Sequence, residues 1–219
     1  VVEMNKIVPA TGGFSALELS DGSRVWLNAE SELVFPVFFG AGERIVQLKG
    51  EAFFEVVPDA ARPFIVETND TRTRVLGTTF NVKAYENESH VTTTLFTGKV
   101  NVSLLTDSTC SAVLSPGKQA DWDMATGKWS VADANLENIS AWKKGMFVFN
   151  REDIRVVTRQ IERWYGVQFI YDTDREKNYT FNGYFSKDET LKSILDAFTF
   201  TGGPEFRIEG NVVYVRDKE

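Results

Sequence analysis

The sequence predicts an all-β N-terminal domain (sandwich, jelly roll or β-roll) followed by a small α+β C-terminal domain of β-α-β-β-α-β type. Two observations lead there. Apolar residues alternate in short runs as far as about residue 131, then recur at helical spacing in two later stretches. Charge divides at the same place: residues 141–219 hold 13 basic and 13 acidic groups, so the whole net charge of −7 lies in residues 1–140. A chain of 219 residues with 17 Phe, 6 Tyr and 5 Trp has large apolar side chains enough for a core in each part. The expected domains are 1–135 and 142–219, with the polar, Asn-rich segment Val131 to Ser140 between them as a linker.

In the first part, strand-like runs include Ala16 to Leu19, Arg24 to Asn28, Arg44 to Leu48, Glu51 to Val56, Asn81 to Tyr85 and Gly98 to Val102. Turn signals separate them, among them Asp21-Gly22, Gly40-Ala41-Gly42, Pro58-Asp59 and Pro116-Gly117. Trp26, Phe53, Phe64 and Phe80 are the expected core aromatics. In the second part, Ile154, Val157, Ile161 and Trp164 mark a first helix, with Asn150 as its cap. Ser186-Lys187-Asp188-Glu189 reads as a capping box opening a second, with Leu191, Ile194, Leu195 and Phe198 on one face. Each helix lies between strand-like segments, so a β-α-β unit occurs twice and Val212 to Val215 adds a last strand. Two helices over one sheet of three to five strands is the expected arrangement, with Trp164, Leu195 and Phe198 in its core.

Several function classes drop out. A net charge of −7 does not suit a protein that tracks phosphates, so no nucleic-acid partner is expected. One His and one Cys exclude an internal disulfide framework and a His/Cys zinc site built by one chain. His90 follows Asn87-Glu88-Ser89 and Cys110 follows Asp107-Ser108-Thr109, both polar turns that supply no supported nucleophile. Glu51 and Glu55 would stand about 13 Å apart along one strand face, beyond the glycosidase range of roughly 5–9 Å. They are expected to be solvated or to pair with Arg44 or Arg62. Gly77-Thr78-Thr79-Phe80-Asn81 lacks the Lys and the helix of a phosphate loop. No enzyme activity, cofactor or metal is expected. The longest apolar run, Val34 to Phe39, is broken by Pro36 and falls short of the roughly 20 residues of a spanning helix. Val1-Val2-Glu3-Met4 resembles neither a signal peptide nor a natural start, so the chain reads as part of something longer.

The first part also carries ordered motifs. Leu19-Ser20-Asp21-Gly22-Ser23-Arg24-Val25-Trp26-Leu27-Asn28-Ala29-Glu30-Ser31 resembles the signature of FecR-type proteins. Leu48-Lys49-Gly50-Glu51-Ala52-Phe53-Phe54-Glu55-Val56, Arg62-Pro63-Phe64-Ile65-Val66, Val75 to Val82, Gly98-Lys99-Val100 and Leu114 to Ala120 follow in that family's order. From Trp142 through Arg163-Trp164-Tyr165 to Tyr214, the chain resembles the small domain that follows FecR and is similar to the short secretin/TonB N-terminal domain.

The resemblance implies a regulator anchored in the inner membrane. Its periplasmic part receives a signal from the signalling domain of a TonB-dependent outer-membrane transporter and relays it to an extracytoplasmic-function sigma factor. This chain is then the periplasmic part, with the sigma factor and the membrane engaged through segments outside it. The partner is expected on the C-terminal domain, at a sheet edge formed by Val212, Val213, Tyr214 and Val215, with Tyr165 exposed nearby. The last strand lies close to the chain end and is flanked by Arg216, Asp217 and Lys218, which reads as an edge. The competing reading is a carbohydrate- or ligand-binding β domain without catalysis, which calls for a cleft lined by two or three exposed Trp or Tyr side chains.

Overall fold

A computed structural model describes residues 2–172 and 178–217. The chain divides into two compact units, one running to Ala10 and over Phe14–Ser140, the other comprising Thr11–Gly13 and the residues from Ala141 onward.

The first unit is all β. Its strands are β1 (Met4–Ile7), β2 (Ser15–Glu18), β3 (Arg24–Leu27), β4 (Glu32–Pro36), β5 (Arg44–Glu55), β6 (Phe64–Glu67) and β7 (Thr71–Val75). Next come β8 (Thr79–Ala84), β9 (His90–Thr97), β10 (Val100–Leu104), β11 (Ser111–Leu114), β12 (Lys118–Asp123) and β13 (Lys128–Asp133). Two of the expected runs, Arg44 to Leu48 and Glu51 to Val56, are halves of the single strand β5. The first half pairs with β4 and, in parallel, with β6; the second pairs with β3 and β8. β5 therefore belongs to two sheets, β1-β4-β5-β6-β7-β10-β11 and β2-β3-β5-β8-β9-β12-β13. The changeover falls at Gly50, whose φ is +89° and whose missing Cβ would sit 2.3 Å from Ser31 Oγ and 2.7 Å from Ser31 Cα. Only glycine meets both conditions.

Residues of both sheets meet in one core. Leu33, Val46, Leu48, Phe64, Val66, Val100 and Leu114 come from one side, and Val25, Leu27, Ala52, Phe54, Phe80, Val82 and Leu95 from the other. Phe53, Phe64 and Phe80 are buried as expected. Trp26 is not a core residue. Val25 and Leu27 take the inward positions, so the two-residue period of the strand turns Trp26 to the opposite face. There it is half-buried, edge-on to Phe53 at 6.0 Å.

A buried ion pair braces the start of β5. Arg44 Nη1 lies 2.6 Å from Asp21 Oδ2, with the two side chains 1% and 3% exposed. Arg44 also donates through Nε to the Arg62 carbonyl at 2.8 Å and through Nη1 to that of Val57 at 3.1 Å. Asp21 accepts from the Ser23 amide and hydroxyl at 3.0 and 2.7 Å. The Val131 to Ser140 segment carries regular structure. β13 runs through Asp133, and a short helix α1 (Leu136–Ser140) follows, its start capped by Asn135 Oδ1 accepting from the Asn138 amide at 3.1 Å.

The second unit opens with a 3-10 turn over Ala141–Lys144 and continues β14 (Met146–Asp153), α2 (Ile154–Tyr165), β15 (Gln168–Tyr171), β16 (Thr180–Ser186), α3 (Leu191–Phe200), β17 (Glu205–Glu209) and β18 (Val212–Arg216). The β-α-β repeat is present, but its strands form two sheets rather than one. β14 pairs with β16, while β15, β18 and β17 form the other sheet in that order. Each repeat gives its first strand to one sheet and its second strand to the other. Phe147, Phe149 and Phe181 from the first sheet, Phe169, Val213 and Val215 from the second, and Ile154, Val157, Ile161, Ile194, Leu195 and Phe198 from the helices make one cluster. Trp164 packs against it half-buried.

Both helix starts differ from the sequence expectation. Asn150 does not cap α2, because β14 runs on past it. Asn150 and Arg151 fill a bulge between Phe149 and Glu152, with Arg151 at φ +53° and its amide donating to Asn182 Oδ1 at 2.8 Å. The cap is Asp153, which accepts from the Arg155 amide at 2.8 Å. Ser186 to Glu189 closes a turn ahead of α3 instead of starting it. The Ser186 amide donates to Glu189 Oε1 at 3.2 Å, but Ser186 Oγ accepts from the Asp188 amide, and Thr190 is the cap, accepting from Ser193 at 3.2 Å.

Removing one member of a buried ion pair costs about 3–5 kcal/mol, because the other charge stays buried and unpaired. Arg44→Met is therefore expected to destabilise the first unit by about that amount. Asp21→Asn/Arg44→Met is expected to recover part of the loss. Urea unfolding of the single and double variants measures both; additive losses would show that the pair is not coupled.

Candidate interaction surface

The residues with catalytic potential are dispersed. His90 begins β9, and its Nδ1 lies 2.7 Å from Asp121 Oδ1 on an exposed surface. Cys110 is half-buried against the small cluster of Ala84, Val91 and Trp122. Glu51 is neither solvated nor paired with an arginine. It is buried and accepts from Asn28 Nδ2 at 2.9 Å and Asn81 Nδ2 at 3.0 Å, while its amide donates to Ser31 Oγ at 2.8 Å. Glu55 pairs with Arg24, and the two arginines expected as partners are engaged elsewhere, Arg44 with Asp21 and Arg62 with Asp59. Among the described residues, no group of three or more His, Cys, Asp or Glu is placed to hold a metal ion.

A groove of about 280 Å³ on the first unit is lined by Glu32, Gln47, Lys49, Glu67, Thr68 and Asn69 among others. Its charges are matched: Glu32 with Lys6, Lys49 with Glu86 and Glu67 with Arg72. The Glu86 carboxyl titrates below the usual range because Lys49 and Asn69 donate to it. The lining contains no Trp or Tyr, the side chains on which a sugar would stack.

The residues nominated for partner binding fall into two groups. Val213 and Val215 are fully buried in the second unit's core. β18 is not an edge, because β15 runs parallel to it on one side and β17 antiparallel on the other. The charged chain end suggested an edge, but the strand pairs on both sides and its alternate residues complete the core. Tyr165 is not free on the surface either. It ends α2, is half-buried, and donates its hydroxyl to the Glu189 carbonyl at 2.6 Å. Burial, with Glu189 and Asp188 nearby, pushes its hydroxyl up to about 12.

Val212 and Tyr214 have the opposite orientation, on the sheet face turned away from the core. In register, Ile170, Tyr214 and Arg207 stand abreast across the three strands. Ile170 is 38% exposed, and the Arg207 guanidinium lies 4.8 Å from the centre of the Tyr214 ring. Arg207 pairs with Glu209 at 2.8 Å and Arg216 with Asp172 at 2.6 Å. The outward face thus presents Ile170, Val212 and Tyr214, with Arg207 stacked on the Tyr214 ring and ion pairs at the border. Ile170 and Arg207 were not nominated from sequence. The signal for Ile170 was the alternation within Gln168-Phe169-Ile170-Tyr171; Arg207 becomes visible only once β17 is in register with β18.

Comparison with known proteins follows the two units. The FecR protein family model matches residues 5–101, and the FecR C-terminal model matches residues 146–215. Two crystal structures of a candidate anti-sigma factor from Parabacteroides distasonis ATCC 8503 are similar over nearly the whole chain. One is 28% identical, with a TM-score of 0.89, covering 99% of this chain and 100% of that one. The other is 29% identical, also with a TM-score of 0.89, covering 98% of this chain and 100% of that one. No curated protein matches the sequence.

The buried and outward residues of β18 are expected to respond differently to substitution. Val213→Pro removes a donor from a strand paired on both sides and is expected to abolish cooperative melting of the second unit. Tyr214→Ala is expected to leave that transition within a few degrees of wild type. Differential scanning calorimetry separates the two; equal behaviour would contradict the facing assigned to β18.

Proposed function

The chain belongs to the FecR family, and from that premise we propose that it is the signal-receiving part of an anti-sigma regulator. In this reading it lies in the periplasm as part of a regulator anchored in the inner membrane. It relays the state of a TonB-dependent outer-membrane transporter to an extracytoplasmic-function sigma factor. The observation that carries the reading is the likeness to a candidate anti-sigma factor across both units, at 28% and 29% identity. The dispersed titratable groups agree with a protein that works by binding rather than by chemistry. No helix among the described residues is long and apolar enough to cross a membrane.

The second unit is the proposed receiver of the transporter's signalling domain, through the outward face of β15-β18-β17. Val212 and Tyr214 are proposed as contacts through this face rather than through an open edge, joined by Ile170 and Arg207, while Val213 and Val215 support that face from the core. The groove on the first unit is lined by no Trp or Tyr, so it does not itself offer the stacking cleft that the ligand-binding alternative calls for.

Tyr and Arg at the centre of an interface typically cost about 2 kcal/mol or more when truncated. Tyr214→Ala and Ile170→Glu are therefore expected to stay folded yet weaken capture of the signalling domain by about tenfold or more. A pull-down with immobilised signalling domain reads this. Undiminished capture by both folded variants would move the interface off this face.

A further inference from the structure

Beyond that reading, and independently of it, we propose that β16 is a self-pairing edge through which two copies of the chain associate antiparallel about a dyad at Gly183. Three observations lead to this. First, among the described residues, Thr180-Phe181-Asn182-Gly183-Tyr184-Phe185-Ser186 is paired on one side only, by β14. It carries none of the devices that blunt open edges, neither charge nor proline. The other edges of this unit are guarded: β14 has its bulge and the charged Arg151, Glu152 and Asp153, β15 has its outward Phe169 amide donated to Glu162 Oε1 at 2.8 Å, and β17 alternates Glu205, Arg207 and Glu209.

Second, the hydrogen-bonding direction is fixed. The Lys187 amide donates to the Gly145 carbonyl at 2.8 Å, and the Ile154 amide donates to the Tyr179 carbonyl at 2.9 Å. Both place the odd-numbered backbone groups of β16 on the β14 side, so Thr180, Asn182 and Tyr184 direct N–H and C=O to the open edge. All three residues are exposed, Tyr184 at 72%. Ser186 ends the usable edge, its amide donating to Glu189 Oε1 and its carbonyl accepting from the Glu189 amide.

Third, the strand is nearly palindromic about Gly183. In an antiparallel pair centred there, Asn182 of each copy faces Tyr184 of the other, Phe181 faces Phe185, and Thr180 faces Ser186. The Asn182–Tyr184 pairs then fall where the outward groups point, and exchange four backbone hydrogen bonds. The two Gly183 residues meet at the dyad, where a Cβ would already meet the Phe185 ring of its own copy at 2.8 Å. Aromatic pairs and small hydroxyl pairs are favourable across strands, and no like charges oppose each other. A shift by two residues keeps the hydrogen-bond direction but sets each Phe against glycine or outside the pairing.

An edge this short makes a weak dimer, so the test is sedimentation velocity on the whole chain over a concentration series reaching the millimolar range. Wild type is expected to pass from monomer to dimer. Tyr184→Pro removes an outward amide and leaves the β14 ladder intact. It is expected to weaken the dimer by about tenfold or more, while Tyr184→Thr keeps it. A wild type monomeric throughout, or a folded Tyr184→Pro that dimerises equally well, would overturn the proposal. Should Tyr184→Pro fail to melt cooperatively, a charge pair decides. Asn182→Lys/Tyr184→Lys sets lysine against lysine and is expected to be monomeric, while Asn182→Lys/Tyr184→Asp sets opposite charges together and is expected to dimerise. Equal association by these two variants would also overturn it.

Discussion

Twelve residues of β5 serve two sheets, and the first unit depends on how that strand is held while it passes from one to the other. The segment Asp21 to Ser31 does the holding. Asp21 pairs with Arg44 at the start of β5, Ser31 takes the Glu51 amide just after the changeover, Asn28 binds the Glu51 carboxylate, and Arg24 pairs with Glu55 at the end. Gly50 lets Ser31 approach within a distance that any Cβ would forbid. All of these residues but Arg44 lie in the motifs that make the sequence resemble FecR, and every one of these contacts holds the strand. The family signature is thus the mark of a fold. Its Asp, Ser, Asn and Glu side chains are engaged in these structural contacts.

The second unit solves a different problem. Its two β-α-β repeats share one apolar cluster, with one sheet built from the first strands and the other from the second strands plus β18. Splitting five strands into sheets of two and three leaves more edge than a single sheet would. It also leaves the outward face of β15-β18-β17 uncovered at Ile170, Arg207 and Glu209. That edge and face are where the proposed partner contacts lie. The first unit spends its polar groups on internal bracing and keeps the charges around its groove in pairs.

Element identity was legible in the sequence where burial alone dictates the pattern. The strand runs of the first unit, and the spacing of Ile154, Val157 and Ile161, follow from which residues must leave water. What could not be read were features set by pairing partners distant in sequence. Trp26 turns away from the core because Val25 and Leu27 take the inward positions. Asn150 loses its capping role because a bulge opposite Asn182 extends β14. The place of β18 near the chain end points to an edge, whereas β15 pairs beside it. Of the nominated surface, Val212 and Tyr214 keep an outward orientation, Val213 and Val215 belong to the core, and Tyr165 is tied to Glu189. The alternation of β18 held that distinction, but choosing which phase faces outward needed the helices in place.

The central claim is that this chain recognises a protein signal rather than a small ligand. Isothermal titration of the whole chain with signalling domains of TonB-dependent transporters from the same organism tests this most directly, with a panel of oligosaccharides titrated in parallel. The account predicts saturable binding of the signalling domain at one site per chain and no heat from the sugars beyond dilution. Saturable binding of an oligosaccharide, with none of the signalling domain, would contradict it.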